Sequence, residues 1–338
     1  MSKVYEVEAF FKGNSDIPEF DDHYAYQAKA HQKQLTKPPG SLGKLEDIAV
    51  WLAGWQRKIK PSMDNVHCLI FAANHGVAAK GVSAYPSEVT AQMVENFQAG
   101  GAAINQLCSL ADIKLSVFPI ALGKPTRDFS QERAMEPEEV LSAMQLGFCS
   151  VPDNCDLLLL GEMGISNTTA AAAISCSLFK QPVEDWTGTG TGLNQKQLSR
   201  KISIIKAAHK LHGQKFLNTE SILAAYGGRE MAAIAGAVIR ARLLRVPVLL
   251  DGFISTSAAA TLTLFNKKML EHCLVSHLST EPGHRGILSY LDKDPILNLN
   301  LRLGEGSGAA IASLIIKSAI ATHNGMSTFS EAGVSKKK

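Results

Sequence analysis

From residue 66 onward the chain alternates short, continuous apolar runs with longer stretches of helical composition. The runs "VHCLIFAA" (66–73), "LSVFPIAL" (115–122), "DLLLLG" (156–161), "SILAAYGG" (221–228), "VPVLLDG" (246–252) and "HCLVSH" (272–277) predict buried strands. Each ends in glycine, histidine or a polar turn, as a strand bounded by loops does. A strand that is apolar at nearly every position has both faces covered. The pattern therefore predicts an α/β fold: a doubly wound, mostly parallel sheet with helices on both faces. In such sheets ligands bind beyond the carboxyl ends of the strands. The glycine-rich segments of this chain fall at those ends.

Residues 1–65 differ: they are polar, helical in pattern and interrupted by "TKPPGSLGKLEDIA" (36–49). This region is expected to form a small helical accessory lobe, joined by a C-terminal helix over 305–330. Residues 66–304 then make up the Rossmann-like, substrate-binding domain. The terminal "KKK" (336–338) predicts a frayed tail.

Composition narrows the function classes. Of 338 residues 46% are hydrophobic and 19% charged, and the net charge of +3 comes with no dense basic stripe, so nucleic acid is not an expected partner. Arg240, Arg242, Arg245 and Lys317 interrupt the longest apolar stretches, which argues against a membrane span. The six cysteines form no C-x-x-C pair and mostly stand in apolar surroundings, so they are expected to be reduced core residues of a cytoplasmic protein. No H-E-x-x-H is present, and the centre of "GEGSG" is a glycine rather than a serine nucleophile. Zinc and covalent hydrolase chemistry both lose ground, and neither a metal nor a cofactor is expected.

Several segments remain able to carry chemistry. "LRLGEGSGAAIA" (301–312) sets one carboxylate, Glu305, between two glycines ahead of an apolar run. "GEMGISNTTAAAA" (161–173) follows a strand directly. Its glycines permit a sharp turn, Ser166, Asn167 or Thr168 is expected to cap the next helix, and Glu162 faces the same crevice. An ordinary strand-to-helix turn reads equally well. "WTGTGTGLNQKQLSRKI" (186–202) breaks the dinucleotide fingerprint, because Leu193 stands where it needs glycine. It remains either a flexible linker or a loop whose N–H groups wrap a phosphate, with Lys201 adding charge. His75, with no second ligand at metal spacing, is expected to be a hydrogen-bonded structural residue. Ser83, Tyr85 and Gln92 supply an aromatic wall with polar groups suited to a flat heterocycle, or else simply pack and cap a helix. In "VSHLSTEPGHRGIL" (275–288), Glu281 and His284 read as first-turn helix residues rather than an acid–base pair. In "LDGFISTSAAATL" (250–262), Asp251 ends a strand and Ser255 or Thr256 is expected to cap a helix.

Taken in order, "TKPPGSLGKLEDIA", "NHGVAAKGVSAYPSEVTAQMV", "GEMGISNTTAAAA", "GTGTGL", "GGREMAAIAGA", "LDGFISTSAAA", "SHLSTEPGHRGIL" and "LRLGEGSGAA" follow the wording of one family. Over essentially its whole length the chain resembles the CobT-type nicotinate-nucleotide:dimethylbenzimidazole phosphoribosyltransferases. The resemblance implies a homodimer and no cofactor. It also implies transfer of the ribose phosphate of nicotinate mononucleotide to a benzimidazole nitrogen, giving nicotinate and α-ribazole 5′-phosphate for the lower ligand of cobamides. By the same resemblance Glu305 is the general base and Glu162 the second acid of the site. Gly190, Gly192, Lys201 and Ser279 match the nucleotide phosphate region. Ser83, Tyr85 and Gln92 match the base pocket, with Met163 and Leu303 as apolar neighbours. The chain departs from the family pattern at Asn74, commonly aspartate, and at Ser166, where the family has glycine. A nucleosidase using water, or a non-catalytic nucleotide- or azole-binding protein, is the alternative reading.

Overall fold

Six strands form one sheet in the computed structural model, which describes residues 6–13, 16–190, 192–213 and 215–335. They are β1 (Val66–Ala72), β2 (Lys114–Pro119), β3 (Leu157–Met163), β4 (Val248–Leu250), β5 (Cys273–His277) and β6 (Pro295–Leu297). Every pairing is parallel and the order is β2-β1-β3-β4-β5-β6. The direction of winding reverses between β1 and β3, which opens a crevice at their carboxyl ends.

The apolar runs are continuous because alternate side chains enter two separate cores. Leu69, Phe71, Leu158, Leu160, Val248 and Leu250 enter one, with Ala170, Ala171 and Val238 of the covering helices. Cys68, Ile70, Leu157, Leu159 and Leu249 enter the other, with Ile48, Leu52, Ala309 and Ile316. Full burial of each such leucine contributes about 1.5–3 kcal/mol.

Two strand expectations need correction. Residues 221–228 lie not in the sheet but largely in the helix Thr219–Tyr226, which the Asn218 side chain caps by accepting the Ser221 N–H at 2.8 Å. A fully buried helix is apolar all round, so this run carried no period to tell the two states apart. The sixth strand is instead β6, only three residues long and half-buried.

Helices Asp22–Gln32, Lys44–Gln56 and Ser307–Gly325 pack together on one side of the sheet. The Gln32 amide meets His323 Nδ1 at 2.7 Å, and Asn324 donates to the Pro61 carbonyl at 2.8 Å. Helix Glu6–Phe11 covers the opposite face, where Phe10 packs on Phe265. Among the described residues no helix is long and apolar enough to cross a membrane. The lysine tail 336–338 lies outside the described residues.

Candidate active site

The carboxyl ends of β3, β4 and β5 open into a cavity of about 530 Å³. One arm is apolar, walled by Val82, Met93, Met163 and Leu303; the other is polar, walled by Gly190, Ser279, Glu281 and Arg302. Glu162 and Glu305 also line the cavity.

Glu305 sits in a run of three left-handed residues, with φ of +82° at Gly304, +62° at Glu305 and +76° at Gly306. That conformation costs an L-residue about 1–2 kcal/mol, so glycine on either side confines the penalty to the one position that needs a side chain. The glycines also make room. A Cβ on Gly304 would lie 2.7 Å from Glu162 Oε1, and one on Gly306 would lie 3.1 Å from Cys68 Sγ. Glu305 is only 7% exposed, and its carboxylate forms no hydrogen bond with a described residue.

Asn167, opening the helix Asn167–Phe179, donates its side-chain N–H to Glu162 Oε2. Burial pushes the Glu162 carboxyl up to about 8; the charges of Asp251, Glu230 and Glu305 add to this, and the Asn167 bond opposes it. Burial, then the charge of Asp251, pushes Glu305 up to about 7. At neutral pH the pair thus offers a protonated donor beside a group poised to accept.

These shifts have a consequence for stability. The unfolded chain releases the Glu162 proton near the ordinary value of 4.5, whereas the folded chain keeps it up to about pH 8. Folding therefore binds protons across that window, and stability falls as pH rises through it. Below about pH 6.5 the buried histidines, whose charged forms are disfavoured, act in the opposite sense. From pH 6.5 to 8 the expected loss is roughly 2 kcal/mol. Chemical denaturation of the ligand-free protein at both ends of that range measures it. Glu162→Gln should flatten the slope, and an equally steep slope in that variant would assign it elsewhere.

The polar arm is built around the loop before the helix Gln195–His212. Glu281 occupies the N-cap position of the helix Pro282–Leu291, but its side chain turns away to accept the Gly190 N–H at 2.8 Å, while Arg302 reaches the Gly190 carbonyl at 3.3 Å. Lys201 does not line the cavity. It is fully buried beneath the loop, donating to Thr168 Oγ1 at 2.9 Å and to the Gly188 carbonyl at 3.2 Å, and burial pushes it down to about 8. Ser279 lines the cavity, and its N–H donates to His284 Nδ1 at 2.9 Å. Gly192 lies beyond the lining, and Thr191 is outside the described residues.

In the apolar arm Ser83 and Tyr85 stand at the mouth, the tyrosine 53% exposed, and the Ser83 hydroxyl accepts the Tyr85 N–H at 3.2 Å. Gln92 is exposed on the helix Val89–Gln98 and does not reach the cavity, whereas Met93 and Asn96 of the same helix do. His75 Nε2 meets Glu230 Oε1 at 2.6 Å with both side chains fully buried, and a Cβ on Gly164 would lie 3.3 Å from the same nitrogen. Asn74 donates to the Leu122 carbonyl at 2.9 Å, away from the cavity.

Two capping expectations need revision. Ser255 and Thr256 lie inside the helix Phe253–Ala260 and bond instead to the Leu160 carbonyl and to His284. Ser166 occupies the N-cap position, but its hydroxyl caps nothing and is buried with no partner among the described residues. Its φ is +78°, a conformation suited to glycine. Ser166→Gly should therefore stabilise the ligand-free protein by about 1 kcal/mol, the relieved strain exceeding the added unfolded-state entropy. Urea denaturation checks this; a less stable variant would mean the hydroxyl holds the turn.

Comparison with known proteins agrees with this architecture. Residues 17–334 match a family model described as phosphoribosyltransferase. Proteins named nicotinate-nucleotide–dimethylbenzimidazole phosphoribosyltransferase are similar over most of the chain. That of Allorhizobium ampelinum is 48% identical over 94% of both chains, and that of Mesorhizobium japonicum 50% identical over 95% of this chain and 96% of its own. The crystal structure of CobT from Thermus thermophilus superposes with a TM-score of 0.87 at 38% identity, covering 93% of this chain and all of that one. The chain belongs to the CobT-type nicotinate-nucleotide:dimethylbenzimidazole phosphoribosyltransferase family.

Proposed function

We propose that the cavity transfers the 5-phosphoribosyl group of nicotinate mononucleotide to 5,6-dimethylbenzimidazole, with Glu305 as the base. The observation that carries this reading is the buried Glu305 carboxylate, unpartnered among the described residues and set between an apolar arm that suits a flat ring and a polar loop that suits a phosphate. The benzimidazole nitrogen attacks C1′ as the C1′–N bond to the pyridinium breaks, and the bonding electrons return to the nicotinate ring. Attack from the opposite face converts the β-nucleotide to an α-product. The N–H across the imidazole ring becomes acidic as the new bond forms, and Glu305 takes that proton. Nicotinate leaves neutral at its ring nitrogen, so no acid has to protonate it. Glu162, protonated and held by Asn167, donates toward the sugar.

Ser279 and Arg302 hold the phosphate, the Gly190 N–H exchanges its bond to Glu281 for one to the phosphate, and Lys201 stiffens the loop from beneath while contributing positive charge. Gly192 and Gln92 join the site only if ligand binding draws their segments inward. Ser83, Tyr85, Met163 and Leu303 sandwich the base. The same reading takes the enzyme to be a cytoplasmic homodimer, with a helical lobe (1–65 and 305–330) beside the 66–304 domain; the packing of Asp22–Gln32, Lys44–Gln56 and Ser307–Gly325 supports the lobe, whereas helix Glu6–Phe11 lies on the opposite face of the sheet.

Incubation with nicotinate mononucleotide and dimethylbenzimidazole, read by mass and by the anomeric proton signal, should yield nicotinate and the α-anomeric ribazole phosphate in equal amounts. Nicotinate release without added base would favour a nucleosidase. Binding of both ligands without product would favour a non-catalytic role.

A further inference from the structure

Asp251 stands at the end of β4, fully buried, and belongs to neither arm of the cavity. Its two carboxylate oxygens accept N–H groups from a segment more than fifty residues away: Oδ2 from Gly306 at 3.1 Å and Oδ1 from Ala309 at 2.9 Å. It thereby caps the helix Ser307–Gly325, whose own N-cap residue, Gly306, has no side chain to do so. The capped turn is the one that begins immediately after Glu305. Below it, a Cβ on Gly161 of β3 would lie 2.5 Å from the Gly306 nitrogen, so the turn rests directly on the strand.

The geometry points to Asp251 as a positioning residue for the transfer, one that touches no substrate but clamps the backbone from which Glu305 projects. The left-handed φ of Glu305 is disfavoured on its own and persists only if its surroundings enforce it. Two restraints do so, strand β3 beneath and the Asp251 carboxylate pulling two N–H groups inward, while glycine on either side lets the backbone follow them. Burial pushes the Asp251 carboxyl up, and the charge of His277 and the N–H groups of Ala309 and Gly306 oppose that rise by favouring the charged form.

That charge also reaches the site. The groups facing Asp251 are Glu162 from β3, Glu305 itself, Cys68 from β1, and His277 from β5, whose Nε2 lies 3.8 Å from Oδ1. Asp251 adds to the upward shift of both glutamates. Its charge therefore helps keep Glu305 basic enough to take a proton near neutral pH.

The catalytic part of this inference rests on the transfer reading, so the test has two arms. Both use Asp251→Asn in the full-length protein, with Asp251→Ser replacing it should the amide variant not fold. In the first arm, hydrogen exchange without substrates should show peptide 301–312 exchanging at least tenfold faster, while β3 stays protected. In the second, kcat with nicotinate mononucleotide and dimethylbenzimidazole should fall tenfold or more with KM within about threefold. The acid limb of kcat should also move down by about one pH unit. Unchanged exchange in 301–312 overturns the clamp. A lowered melting temperature with an unmoved acid limb and unchanged kcat reduces Asp251 to a structural cap and overturns its positioning role. If the native enzyme forms no ribazole phosphate the transfer reading fails, and the first arm still decides whether Asp251 holds the turn.

Discussion

Glu305→Gln should lower kcat by about 10²–10⁴-fold while leaving both KM values within about threefold of native. The substitution is nearly isosteric, and it breaks no hydrogen bond with a described residue because the Glu305 carboxylate makes none. The amide also removes a buried ionisable group, so the fold should not suffer. What it cannot do is accept the proton that the imidazole ring must shed. The loss corresponds to about 3–5 kcal/mol of barrier, a small share of what an enzyme supplies, and alignment of the two substrates provides the larger part. In the native enzyme activity should rise with pH through a midpoint near 7, because Glu305 works only after losing its own proton and burial has pushed that step up to about 7. The variant should lose this limb. Steady-state rates between pH 6 and 9 check both points, and near-native turnover in the variant would remove Glu305 from the mechanism.

The second large effect belongs to a residue with no side chain. A Cβ at Gly161 would lie 2.5 Å from the Gly306 nitrogen and 2.8 Å from the Glu305 carbonyl carbon. Both are backbone atoms in a turn pinned by Asp251, so no flexible group can yield. Gly161→Ala should cost about 1–3 kcal/mol of stability through overpacking. It should also move Glu305 away from its target, and a misplacement on the order of 1 Å costs about 10²-fold in rate. Gly123→Ala serves as the control, since a Cβ there meets nothing within 4 Å and the backbone is not left-handed. Urea denaturation and kcat, measured together, separate the two effects. Native kcat in a destabilised Gly161→Ala would show that the turn tolerates displacement.

Much of the architecture was legible because burial on both faces leaves a direct mark in the chain. Five of the six apolar runs occupy strands in the expected sequence order, and the glycine-rich segments lie at their carboxyl ends. The run at 221–228 misled because a helix enclosed on every side loses its period. Strand β6 escaped because three half-buried residues leave no pattern. Among the site residues, Glu162, Glu305, Gly190, Ser279, Ser83, Tyr85, Met163 and Leu303 meet around one cavity. Lys201 lies under its loop, and Gln92 turns to solvent while Met93 and Asn96 face inward. Neighbouring positions on a helix point about 100° apart, so a motif locates the right turn without choosing the side chain that enters.

By itself the chain determined the kind of sheet, the ends at which the cavity opens and the acid that lines it, since each depends on local composition or on a contiguous motif. Only the tertiary structure decided how that acid is held. Asp251 caps a helix that starts beyond residue 305, Gly161 makes space for the same turn, and Arg302 reaches the Gly190 loop. These contacts join strand ends that are distant in sequence, and a hydrogen bond or a close approach between them exists only once the parallel sheet has brought those ends together.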